Sequence, residues 1–280
     1  MKKIGVIGAG VMGCGVAQSF AQHGYQVVLV DISEEVLIKA KEDIYNNVRF
    51  SAFYTNNCSL DPEKVLSNIY FSNNYESIKK VDFLVENVTE NYELKEEVYK
   101  QVSELVNEGC ILMVNTSCIP ITKIAALTKD PTKVVGTHFM NPVPIKNTVE
   151  TIRGYYTSEE TINKTKELLY DIGKEIVLVN DYPGFVSNRI SHLYMNEAAF
   201  VVQDQVATPE DVDRIFKQCY SHKMGPLETA DLIGLDTVVN SLDVLFNTYQ
   251  DSKFKCCPLL RKMVDAGLYG KKSGQGFYTY

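Results

Sequence analysis

At 280 residues, with 45% apolar and 22% charged residues, the chain is long enough for two cores and has an ordinary globular composition. A net charge of −7 leaves no basic stripe for nucleic acid, and no apolar run approaches the roughly eighteen residues of a membrane span, so neither partner is expected. Seven scattered cysteines without a C-x-x-C, and a start that enters a strand with no signal peptide before it, predict reduced thiols, no metal and a cytoplasmic setting.

The first element is a strand at residues 4–7, running into Gly8-Ala9-Gly10-Val11-Met12-Gly13 and a helical pattern to residue 21. A second strand, 26–30, ends in Asp31, eighteen residues past Gly13. Strand, spaced glycines, helix, strand and terminal acid in that order form a dinucleotide-binding fingerprint. Gly8 permits the tight turn, Gly10 lets backbone amides approach a pyrophosphate, and Gly13 allows close helix–strand packing. Asp31 would accept from the ribose hydroxyls. It would also repel a 2′-phosphate, and Ile32 and Ser33 offer no arginine to hold one, so NAD is expected over NADP.

A helix over 34–48 leads into a stretch rich in Asn and aromatic residues. Strands are predicted at 69–71, 82–86, 111–115, 134–139, 148–152 and 176–179, with helices at 92–106, 121–127 and 159–172 between them. That alternation predicts a parallel, doubly wound sheet. At Asp181-Tyr182-Pro183-Gly184 the pattern breaks, and only helical periodicity follows: 185–205, a capped start at Thr208-Pro209-Glu210, then 227–249 and 258–266. The expected fold is α/β: a Rossmann-type, NAD-binding domain over residues 1–181, followed by an all-α domain over 182–280. The run 227–245 reads as a long apolar helix that a small domain would not cover alone, which predicts pairing with a second copy; the alternative is an internal core helix.

The run at 137–152, T-H-F-M-N-P-V-P-I-K-N-T-V-E-T-I, carries the chemistry. His138 closes an apolar strand, and Pro142 and Pro144 are expected to hold residues 141–145 extended. Glu150 on the next strand can place its carboxylate on one imidazole nitrogen, fixing the tautomer and leaving the other nitrogen to take a proton. Ser117, past a strand at the carboxyl edge of the sheet, can donate to a substrate oxygen; its alternative duty is to cap the helix from Ile121.

Together these motifs resemble the L-3-hydroxyacyl-CoA dehydrogenase (3-hydroxybutyryl-CoA dehydrogenase) family. The resemblance rests on G-A-G-V-M-G, N-T-S at 115–117, H-F-M-N-P-V-P, the V-E of Glu150 and P-G-F-V-S-N-R at 183–189. It extends through G-P-L-E-T-A-D-L-I-G-L-D at 225–236 to the tail G-K-K-S-G-Q-G-F-Y. It implies an NAD-dependent oxidoreductase acting on an acyl thioester, with His138 as general base, Glu150 as its partner, and Ser117 and Asn188 on the substrate oxygen. The cofactor contacts it implies are Gly8, Gly10, Val11, Met12, Gly13, Asp31, Glu90, Lys95, Ser117, Asn141 and Lys272. It also implies a homodimer.

Three places depart from that pattern. The family's lysine-rich grip on the CoA phosphates is reduced to Arg49 between Lys41 and Lys64, with Asn47 and Tyr54 where its Ser and Lys would fall. Lys146-Asn147-Thr148 replaces an apolar M-K-L, which favours a short or polar acyl group that Lys146 could face. Asn87 stands where a small apolar residue is common. Loss of the lysines admits an acyl carrier protein as the alternative carrier, while CoA is expected because it is the family's common substrate. A non-enzymatic member would have no physical need for the His138–Glu150 pair.

Overall fold

Residues 2–51 and 60–280 are described by a computed structural model; Tyr54 lies outside them. The chain divides into two units, Met1–Tyr182 and Pro183–Tyr280.

In the first unit the strands are β1 (Lys3–Ile7), β2 (Gln26–Val30), β3 (Ile69–Ser72), β4 (Phe83–Glu86), β5 (Ile111–Val114), β6 (Val134–His138), β7 (Thr148–Arg153) and β8 (Glu175–Asn180). They form one sheet in the order β3-β2-β1-β4-β5-β6-β7-β8. The helices are α1 (Val11–Gln22), α2 (Glu34–Ser51), α3 (Pro62–Ser67), α4 (Tyr92–Leu105), α5 (Ile121–Ala125) and α6 (Glu159–Asp171). The central strands are apolar on both faces because helices cover both, as in V-V-L-V of β2 and I-L-M-V of β5. Val16 and Phe20 of α1 pack on Val6, Leu29, Val85 and Met113 in that core.

The sheet is not parallel throughout, as the alternating pattern predicted. β7 runs antiparallel to β6, with Gly136 opposite Ile152 and His138 opposite Glu150, while β8 is parallel to β7. A parallel return needs a crossover of about a dozen residues or more, and the link 139–147 is too short. Nor is 141–145 extended: Ile145 N and Lys146 N both donate to the Pro142 carbonyl, at 3.0 and 3.1 Å, and close a turn that contains the cis Asn141–Pro142 bond.

The second unit holds α7 (Ser187–Gln203), α8 (Pro209–Cys219), α9 (Pro226–Ile233), α10 (Leu235–Tyr249) and α11 (Pro258–Asp265). The predicted continuous helix 227–249 is broken at Gly234, whose φ of +104° no helix accommodates. Beyond the break Leu235 N donates to Tyr269 O instead of to its own helix. Leu235, Val238 and Leu242 are wholly buried with Met195, Ala230 and Leu260 of the same unit. The apolar run thus supplies an internal core, and its length is no argument for a second copy. Among the described residues no helix is long and apolar enough to cross a membrane.

Candidate active site

The glycine loop separates three requirements. Gly8 has φ +88°, and a Cβ there would lie 2.7 Å from the Asn87 carbonyl oxygen. A Cβ on Gly13 would stand 1.7 Å from the Gly8 carbonyl oxygen, so strand and helix meet too closely for any side chain. Gly10 is different: among the described residues a Cβ would touch nothing within 4 Å, and Gly10 offers no side chain to cap the helix that begins after it. Nothing among the described residues crowds that position, and the space lies at a helix N-terminus whose first amides have no partner within the helix. A dinucleotide pyrophosphate fits there. Val11 beside it is 74% exposed, and Met12 is half-buried.

Asp31 closes the loop from below. Its carboxylate accepts from Ala9 N at 2.8 Å and from Ser33 N at 3.0 Å, which fixes it at the strand tip. Glu90 ties the next layer: its Oε1 accepts from Thr116 Oγ1 at 2.5 Å and from the amides of Ser117 and Cys118, both at 2.9 Å. Lys95 is fully buried; its Nζ donates to both oxygens of Glu86, at 2.7 and 2.8 Å, and to the Asn115 carbonyl at 3.1 Å. A contact of Lys95 with the cofactor requires exchanging one of these three bonds. Burial pushes the Glu86 carboxyl up despite the ammonium against it. Asn87 accepts from Asn115 Nδ2 at 2.6 Å, and Asn115 Oδ1 in turn accepts from Phe139 N at 3.2 Å, joining the ends of β4, β5 and β6.

His138 and Glu150 are directly opposite on β6 and β7, so both side chains leave the same face. The His138 Nδ1 to Glu150 Oε2 distance is 3.0 Å, and Nε2 lies 3.2 Å from Ser117 Oγ. The His138 and Glu150 side chains are each 8% exposed, dry enough to strengthen their pairing. Ser117 does not cap α5. Asp181 does, accepting from Ile121 N at 3.0 Å and Thr122 N at 2.7 Å.

Asn141 and Lys146 are exposed at the two ends of the turn 141–146. With Pro142, Val143, Pro144 and Ile145, Asn141 walls a cleft of about 680 Å³, completed by Val11, Gln18, His23, Asn47 and Phe50. No lysine or arginine occurs among the described residues lining it. Asn188 and Lys272 belong to the second unit. Asn188 is in the first turn of α7, where its carbonyl oxygen is 2.9 Å from His192 Nδ1. Lys272 is exposed, pairs with Asp236 and lies over the Tyr269 ring. Among the described residues no cluster of His, Cys, Asp and Glu could hold a metal ion.

The family model for the 3-hydroxyacyl-CoA dehydrogenase NAD binding domain matches residues 3–182, and that for its C-terminal domain matches residues 184–280. The chain belongs to the 3-hydroxyacyl-CoA dehydrogenase family. Among its relatives, a protein of Deinococcus radiodurans named probable 3-hydroxybutyryl-CoA dehydrogenase is 45% identical, over 99% of this chain and 100% of its own. The 3-hydroxybutyryl-CoA dehydrogenase of Clostridioides difficile is 40% identical, over 99% of each. The crystal structure of (S)-3-hydroxybutyryl-CoA dehydrogenase from Ralstonia eutropha superposes with a TM-score of 0.93 at 39% identity, over 100% of this chain and 99% of that one. As a 3-hydroxyacyl-CoA dehydrogenase the protein is an NAD-dependent oxidoreductase, and the glycine loop and Asp31 agree with that cofactor.

Sequence reasoning did not find Glu86, Thr116 or Asp181, which hold the loops around the site. Glu86 had a visible signal, a carboxylate ending the otherwise apolar strand F-L-V-E. Thr116 and Asp181 have none, since the Glu90 carboxylate that Thr116 meets and the Ile121 and Thr122 amides that Asp181 meets are brought to them only by the fold.

Proposed function

We propose that the protein interconverts 3-hydroxyacyl and 3-oxoacyl thioesters of coenzyme A carrying a short or polar acyl group. The observation that carries this reading is the line Ser117–His138–Glu150, with imidazole nitrogens 3.2 and 3.0 Å from its two partners. When bound, NAD supplies the hydride acceptor for the carbinol carbon. His138 Nε2 takes the hydroxyl proton, and Glu150 stabilises the imidazolium that results. Ser117 Oγ donates to the same substrate oxygen, and the Glu90 carboxylate holds the Ser117 backbone in place. In the reverse direction the imidazolium returns its proton to the forming alkoxide.

Gly8, Gly10, Val11, Met12, Gly13 and Asp31 are assigned to the pyrophosphate and ribose of the cofactor, with Glu90, Lys95, Asn141 and Lys272 added on the family pattern. On the same pattern Asn188 serves the substrate oxygen, and the second unit serves the substrate and a homodimer. The cleft walled by residues 141–145 would take the thioester arm. Its described lining, without lysine or arginine, leaves the CoA phosphates to solvent, which a CoA thioester tolerates, and the relatives are named for CoA thioesters. We place the enzyme in the cytoplasm.

The test is NADH oxidation followed at 340 nm with acetoacetyl-CoA and with longer 3-oxoacyl-CoA chains. Turnover should be highest for the short chain. No oxidation with any 3-oxoacyl-CoA would overturn the assignment, and a preference for long alkyl chains would overturn the short-chain reading.

A further inference from the structure

The turn 141–146 does not hold itself together. The Pro142 carbonyl closes it, but those of Val143 and Lys146 take no part in that closure. Both are held by one side chain from outside: Lys174 Nζ donates to Val143 O at 2.7 Å and to Lys146 O at 2.8 Å. The position of Lys174 is set locally. Gly173, at φ +71°, turns the chain out of α6, and Lys174 N donates back to Leu169 O at 2.9 Å. The next residue, Glu175, opens β8 and donates its N–H to Asn147 O at 2.7 Å. Side chain and main chain together therefore fasten the turn to the end of α6.

Lys174 is 3% exposed. Burial lowers its ammonium from the ordinary lysine range to about 8, and no carboxylate offsets that loss. Two carbonyls thus return less than the hydration that folding removes. An unbranched hydrocarbon of similar volume would fill the space without that cost. What a hydrocarbon cannot do is fix two carbonyl oxygens. Much depends on where they are. Val143 packs on α1 so closely that a Cβ on Gly15 would lie 3.0 Å from its own Cβ, and α1 carries the nucleotide loop. The strands on either side of the turn carry His138 and Glu150.

We propose that Lys174 is a positioning residue for this reaction: it pins the turn 141–146 through two carbonyls, and so sets α1, the cleft wall and the His138–Glu150 pair at working distance. It touches no reacting atom. The inference rests on the site assignment made above, and its test is chosen so that the two can fail separately.

The experiment compares Lys174→Met, Lys174→Arg and His138→Gln with wild type, using acetoacetyl-CoA and NADH well below the melting temperature. Because relief of the buried ammonium roughly offsets the two carbonyls left unpaired, Lys174→Met should melt within about 3 °C of wild type, a change of under about 1 kcal/mol for a protein of this size. Its KM for both substrates should rise at least about fivefold and its kcat/KM should fall about 10²-fold, the scale of a small misplacement of reacting groups. Lys174→Arg, which keeps donors, should recover about tenfold of that loss. A lower melting temperature with unchanged KM would make Lys174 a structural residue and overturn the proposal. So would kinetic constants within twofold of wild type, an arginine variant no better than methionine, or a methionine variant that does not fold. If His138→Gln instead turned over like wild type, the base assignment would fall, while the KM change in Lys174→Met would still report on the turn.

Discussion

His138→Gln removes a proton acceptor and little else. The side chain is 8% exposed, between Ser117 Oγ at 3.2 Å and Glu150 Oε2 at 3.0 Å. A glutamine amide placed there can hydrogen-bond one of the two partners and fill most of the volume, but it cannot accept a proton from an alcohol. The loss expected is that of a general base, about 10²- to 10⁴-fold in kcat, or about 2.7 to 5.4 kcal/mol at about 1.36 kcal/mol per decade. NADH affinity should stay within about threefold, because the glycine loop and Asp31 are untouched; fluorescence titration of NADH reads this separately from turnover at 340 nm. Glu150→Gln keeps the shape and removes the charge that stabilises the imidazolium. It should cost about 10- to 10²-fold in kcat, because the imidazolium then forms without its counter-charge. The two residues act as one unit, so the double variant should be no slower than His138→Gln alone. Turnover above about one third of wild type in His138→Gln would refute the reasoning, and fully multiplicative losses would refute the coupling.

Asp31→Ser removes the carboxylate now held by Ala9 N and Ser33 N; the ratio of kcat/KM for NADH over NADPH should fall at least about tenfold, and an unchanged ratio would remove Asp31 from cofactor selection. Lys95→Met leaves the Glu86 carboxylate, whose side chain is 1% exposed, without its cation. Urea denaturation should show a loss of about 3 to 5 kcal/mol, and a loss below about 1 kcal/mol would mean that Glu86 escapes by taking up a proton. The affinity for acetoacetyl-CoA should change less than about threefold between low and moderate salt, because no lysine or arginine lines the described cleft. A steep salt dependence would place the nucleotide phosphates against cations elsewhere.

What the sequence discloses and what it hides divide along a physical line. The glycine loop, Asp31 and the His138–Glu150 pair are legible because each is local: a glycine is called for by its own φ or by its neighbour in the next turn, and His138 meets Glu150 across one hairpin. The direction of β7 was available in the same way. A link as short as 139–147 forbids a crossover, and reading alternation alone overlooked it. The break at Gly234 was visible as a glycine, but its consequence was not, because only the tertiary bond from Leu235 N to Tyr269 O shows where the helix ends. Lys174 is the opposite extreme. In sequence it follows a glycine at the end of a helix and precedes a strand, where a lysine is ordinarily a solvated cap. Its two partners are backbone carbonyls, which every residue possesses, so no pattern of side chains marks them. A residue that recognises backbone is invisible until the fold brings that backbone to it.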